Sequence, residues 1–150
     1  GYNNVEFSGV NSRLDSIHAK IVNFRIDKLK LTLKIKCRNV ELYKKLIITD
    51  KVKIIDNKDY EKNANSVFVI LCSNRDKLQK YLKKYNIETG IYYKIPLHLY
   101  RVTKYLGYKK KDLPNIDMLS KKFLSLPIHK HLKVRDIKYI ANKINKFYKS

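Results

Sequence analysis

Glycine occurs only four times and proline three times in these 150 residues. That scarcity excludes a flexible linker, a proline-rich spacer and the glycine-rich loop that cradles phosphates. Long apolar runs are also missing. The longest, Val67–Cys72, is far too short to cross a bilayer. No basic segment followed by an apolar stretch marks a signal peptide. Gly1 is not an initiator methionine, so the sequence is expected to start inside a longer product or after processing. The two cysteines, Cys37 and Cys72, stand far apart, each among apolar neighbours. They are expected to be buried free thiols in a reducing compartment. No C-x-x-C and no paired-carboxylate motif is present.

Acidic residues are few, 13 against 34 lysines and arginines, and the formal net charge is +21. Such a balance suggests nucleic acid. Arginine, the residue that best recognises base edges and phosphates, is restricted to Arg13, Arg25, Arg38, Arg75, Arg101 and Arg135. The lysines spread along the whole chain instead of forming one arm. The reading is therefore against nucleic acid, against a membrane and against a metal.

What is present is enough apolar sequence, 44%, for one domain with a real core. Ser12, three residues before Asp15, resembles a capping box, and Leu14, Ile17, Ile21 and Val22 follow as a helical stripe. Residues 29–37 fit strand alternation and helical spacing alike; with no glycine or proline between Asp15 and Leu46, one long helix is expected. Residues 50–66 read as irregular and Val67–Cys72 as a buried strand. Ser73 or Asn74 would cap a helix to Tyr85 that places Leu78, Tyr81, Leu82 and Tyr85 on one face. A second strand is expected at Ile91–Tyr93 and a short helix at Leu99–Leu106, closed by Gly107. Pro114 should begin a helix to about Phe123, with a third strand at Leu124–Leu126. Val134–Tyr148 is the clearest amphipathic helix. The resulting class is α/β, or an α+β layer with helices over a small sheet.

The four histidines offer little chemistry. His129-Lys130-His131 has metal-like spacing but no carboxylate or cysteine nearby, so a solvated loop is the better reading. His18 reads as a structural imidazole beside the first helix stripe.

Several blocks carry more information. Gly9, Asn11, Ser12, Arg13, Leu14, Asp15, Ile17 and Ala19 resemble the G-x-N-S-R-L-D-x-I-Q-A signature of the DegT/DnrJ/StrS sugar aminotransferases. Arg75-Asp76-x-Leu78 with Tyr81-Leu82, Glu88-Thr89-Gly90-Ile91, Ile95-Pro96-Leu97-His98, Tyr105–Tyr108 and Leu124–Pro127 are similar to later blocks of that family, in register. The departures are His18 for Gln, Tyr92 for His, Lys94 for Pro and Tyr100 for Gln. His129–Leu132 is similar to the family's H-P-x-L turn.

The resemblance implies the C-terminal portion of a fold-type-I enzyme dependent on pyridoxal phosphate. Residues 1–27 would join a large domain and carry the cofactor-loop motif, and 28–150 would form a small domain. It implies a cytoplasmic homodimer that moves an amino group from glutamate to a nucleotide-linked keto-sugar. Asn11 and Arg13 would serve the cofactor phosphate of the other subunit, while Tyr92, Tyr93 and His98 would line the substrate entrance. No catalytic residue is expected here, because the Schiff-base lysine belongs to the large domain. The isolated chain is therefore expected to be inactive, as part of a longer enzyme or as a remnant that only dimerises. A basic nucleic-acid-binding module is the weaker alternative.

Overall fold

Alternation along one strand sets the core. Phe68, Ile70 and Cys72 point to the same side of β2 (Phe68–Cys72) and are buried, while Val69 and Leu71 on the other side are half-buried. A computed structural model describes residues 15–55 and 63–149 of the chain. β1 (Val52–Ile54) and β3 (Phe123–Leu126) flank β2, both antiparallel to it. Val52 faces Cys72 and Ile54 faces Ile70; across the other seam Phe68 faces Leu126 and Ile70 faces Leu124.

Three helices close over the buried face. α2 (Leu29–Leu46) contributes Val40 and Tyr43, and α3 (Arg75–Lys84) contributes Leu78 and Leu82. α5 (Val134–Lys149) contributes Ile137, Ile140, Ala141 and Ile144. All join one apolar cluster with the sheet residues. The expected layer of helices over a small sheet is therefore present. Polar groups pin its seams. The fully buried Tyr43 stacks on Phe68 with ring centroids 5.1 Å apart and donates its hydroxyl to the Pro127 carbonyl at 3.1 Å. Asn145 on α5 donates to the Leu46 carbonyl at 2.7 Å and accepts from the Ile48 amide at 3.1 Å, satisfying the end of α2. Arg75 is buried and donates from Nη1 to the Phe123 carbonyl at 3.1 Å, tying α3 to β3.

Residues 29–46 are helical, as read, but the expected single helix is two. α1 (Ser16–Ile26) ends at Asp27, and α2 starts after Lys28, whose φ/ψ of −94°/−3° leaves the ideal helical well. The hydroxyl of Thr32 bonds back to the Lys28 carbonyl at 3.0 Å, a local competitor that bends the backbone without glycine or proline. Ser12 lies outside the described residues; the observed cap is Asp15, whose Oδ1 accepts from the His18 amide at 2.8 Å.

Other expectations are corrected. Residues 50–66 were to be irregular, yet Val52–Ile54 pair with β2, because Val52 and Ile54 gain half-buried positions there. Ile91–Tyr93 is not a strand. Pairing stops after a single bridge, Gly90 with Ser125, made by bonds of 3.0 and 2.7 Å. The expected helix at Leu99–Leu106 is two 3-10 turns, Leu97–Leu99 and Arg101–Leu106. The Thr103 hydroxyl lies 2.7 and 3.0 Å from the carbonyls of Leu97 and Tyr100, and Gly107 at φ 78° closes the second turn. α4 (Pro114–Leu119) ends four residues early because Phe123 is taken into β3. Asn74 precedes α3 in a left-handed conformation and makes no side-chain cap. Cys37 is exposed on the flank of α2, its Sγ 3.4 Å from the Asn65 amide; only Cys72 is buried, and neither is in a disulfide. Burial pushes the Cys72 thiol up to about 11, which keeps it protonated and unreactive at neutral pH.

Candidate active-site face

The segment from Gly90 to Tyr108 leaves the sheet edge and crosses the surface toward α4. Its first turn is built around Gly90. A β-carbon at that position would lie 2.6 Å from Cε2 of Tyr92, so the Tyr92 ring rests directly on the glycine backbone. Tyr92 and Tyr93 are 59% and 65% exposed. Leu97, Tyr105, Leu106 and Tyr108 are exposed as well. The face is thus aromatic and open, and Lys94 and Arg101 stand on it in exposed positions.

The structure separates the sequence-derived residues. Tyr92 and Tyr93 stay together at the surface. His98, in the first 3-10 turn, turns inward and is buried. Its Nε2 faces Oδ1 of Asp117 at 3.7 Å, beyond hydrogen-bond distance and without another partner among the described residues. The Tyr108 ring stands edge-on to it, with centroids 6.4 Å apart. Asp117 is itself held, its Oδ2 accepting from the Lys111 amide at 2.7 Å. Tyr100 is buried. Asn11 and Arg13 lie outside the described residues.

Asp117 was missed by sequence reading. Its signal was an acid in the first turn of a helix that starts with Pro114, which usually reports only dipole compensation. Its relation to His98 depends on a fold-back of the intervening loop that no local pattern encodes. His129 and His131 lie in an exposed turn, with rings 6.2 Å apart.

A Schiff-base lysine works from a desolvated or otherwise tuned position. Every described lysine is exposed or half-buried. Lys44 pairs with Glu41 at 2.9 Å, and the ammonium of Lys143 lies over the rings of Tyr85 and Tyr139. The described residues therefore do not by themselves hold pyridoxal phosphate. Among them no cluster of metal-ligating side chains occurs, and no helix is long and apolar enough to cross a membrane.

Comparison with known proteins places this geometry. The sequence profile of the DegT/DnrJ/EryC1/StrS aminotransferase family matches residues 2–145. A pleiotropic regulatory protein from Geobacillus stearothermophilus is 33% identical over 144 residues, 94% of this chain and 39% of that protein. A dTDP-3-amino-3,6-dideoxy-alpha-D-galactopyranose transaminase from Aneurinibacillus thermoaerophilus is 25% identical over 94% of this chain and 38% of its own length. The crystal structure of a DegT DnrJ EryC1 StrS aminotransferase from Brucella abortus superposes with a TM-score of 0.82 and 32% identity, covering 100% of this chain and 40% of that one. The chain thus spans about two-fifths of the length of the proteins it matches. The profile match over nearly its whole length, supported by these likenesses, shows that the chain belongs to the DegT/DnrJ/EryC1/StrS aminotransferase family.

Proposed function

We propose that this chain is the C-terminal part of a sugar aminotransferase that moves an amino group from glutamate to a nucleotide-linked keto-sugar, with pyridoxal phosphate held mainly by the rest of the enzyme. The observation that carries the reading is the family match over residues 2–145 in a chain two-fifths the length of its relatives. Pyridoxal phosphate supplies the electron sink for such chemistry; the protein supplies orientation and electrostatics.

Residues 1–27 join the small domain, 28–150, to the large one. Support for this division is the helix break at Asp27–Lys28 and the state of α1, which has no buried residue. Asn11 donates to the cofactor phosphate of a second subunit and Arg13 steadies that loop, so the working enzyme is a homodimer; we assign it to the cytoplasm. Tyr92 and Tyr93 face the sugar nucleotide. His98 acts from beneath them, against Asp117.

The reading is tested by amino transfer from glutamate to dTDP-linked keto-sugars. The chain alone should show no turnover, and the same chain joined to a family large domain should release 2-oxoglutarate. Borohydride treatment of the chain with pyridoxal phosphate should leave no stoichiometric lysine adduct. A single adduct at one lysine, with turnover by the chain alone, would overturn the division of labour.

A further inference from the structure

We infer that the cavity between the end of β3 and the start of α5 is a binding site for a hydroxyl-rich cation, an amino sugar. The cavity measures about 720 Å³, a volume suited to a small ligand. Its polar wall is formed by Glu88, Asp136, Asn86, Ser125 and Tyr139, with Tyr92 at its rim. None of the chain's 34 lysines and arginines lines it, although the formal net charge is +21. A phosphate or diphosphate needs cations or a cluster of amides. This wall offers carboxylates and hydroxyls instead.

Two features point to a ligand beyond charge. Ser125 is only 5% exposed and lines the cavity, yet its hydroxyl has no hydrogen-bond partner among the described residues. Its backbone amide and carbonyl are both occupied by Gly90. A buried hydroxyl without a partner in a roomy cavity is a group that a ligand hydroxyl can satisfy. The second feature is the Tyr92 ring, seated on Gly90 at the cavity rim. An aromatic face there suits the C–H face of a pyranose.

The carboxylates divide the work. Asp136 is partly engaged: its Oδ2 accepts from the Lys133 amide at 2.8 Å, and its Oδ1 lies 3.6 Å from Nε of the exposed Arg135. Glu88 has no partner among the described residues and is the anchor for an ammonium group. Lys143 does not compete for it, being held over Tyr85 at 3.4 Å and Tyr139 at 5.3 Å. Naming the cation an amino sugar rests on the sugar-aminotransferase reading, whose product would be one; the charge of the cavity does not.

The test is an amide chemical-shift titration of the 150-residue chain with glucosamine, glucose and glucose 6-phosphate at one ionic strength. Glucosamine should move the amides of Glu88–Tyr92, Ser125 and Tyr139 and bind roughly three- to tenfold more tightly than glucose. Glucose 6-phosphate should leave those amides still. Glu88→Gln, a change at an exposed side chain, should bring glucosamine down to the affinity of glucose. Gly90→Ala should displace the Tyr92 ring and weaken both sugars. Equal or tighter binding of the phosphate at these amides, no sugar response, or indifference to Glu88→Gln would overturn the proposal. Failure of amino transfer by the extended enzyme would not alter this titration, so the two readings fail separately.

Discussion

α1 and α5 are both rich in apolar residues, yet they end in opposite environments. α5 repeats Ile137, Ile140, Ala141 and Ile144 on one face, and all four are buried against the sheet. α1 carries Ile17, Ile21, Val22, Phe24 and Ile26, and all five are 44–74% exposed. At about 100° per residue, Ile17, Ile21 and Phe24 fall on one side of α1, while Val22 and Ile26 fall roughly 150° away. A helix with one apolar stripe is matched to one core. A helix apolar on two sides requires more than one covering surface, and the described residues supply neither. The difference teaches that α5 belongs to this domain, whereas α1 is shaped for the remainder of a longer enzyme.

The comparison can be broken most sharply by truncating one side chain on each helix. Ile144→Ala should lower the unfolding free energy by about 2–5 kcal/mol in urea, as expected for a fully buried isoleucine. Ile17→Ala, at a position 74% exposed, should stay within about 0.5 kcal/mol. Equal losses would place α1 in the same core. Next in size, Asn145→Ala should cost about 1–3 kcal/mol, because it strands the Leu46 carbonyl and the Ile48 amide at the α2–α5 seam.

A smaller effect tests the core beneath α5. Tyr43→Phe should cost about 1 kcal/mol at neutral pH, since the Pro127 carbonyl loses its donor. Burial, reinforced by Asp136, pushes the Tyr43 phenol well above its ordinary 10.0. Burial does the same to Tyr148, and it moves Cys72 from 9.0 to about 11. Groups raised in the folded state keep their protons while the unfolded chain loses its own. Stability is therefore full below pH 9 and falls as pH climbs through 9 to 11 and beyond. Urea midpoints across that range should drop more steeply for the native sequence than for Tyr43→Phe or Cys72→Ala. The smallest effect belongs to α1: Asp15→Ala removes the cap on the His18 amide, and should lower helicity by circular dichroism while shifting the urea midpoint by only a few tenths of a kcal/mol.

Legibility of the sequence followed the same division. The α5 stripe, the β2 run and the turn at Gly107 were readable because each is specified by neighbours a few residues away. β1 was not, since Val52-Lys53-Ile54 is too short to show a period and gains its order from pairing with β2. Ile91–Tyr93 carried strand propensity but lies beyond the single bridge at Gly90. Cys37 satisfied helical spacing with Leu33 and Val40, yet the core face of α2 runs through Asn39, Val40 and Tyr43. At the candidate site, the exposed Tyr92 and Tyr93 were found from the resemblance. The inward turn of His98 toward Asp117 was not, because 18 intervening residues must fold back to bring the two together.

Hydrogen exchange read helix by helix in the 150-residue chain tests the central claim most directly. Amides of Ile137–Ile144 should exchange only through global unfolding, with protection that follows the urea stability of the domain. Amides of Ala19–Ile26 should exchange orders of magnitude faster and should slow when the chain is joined to a family large domain. Equal protection of the two helices in the chain alone, or α1 protection unchanged by that large domain, would contradict the assignment of α1 to the rest of the enzyme.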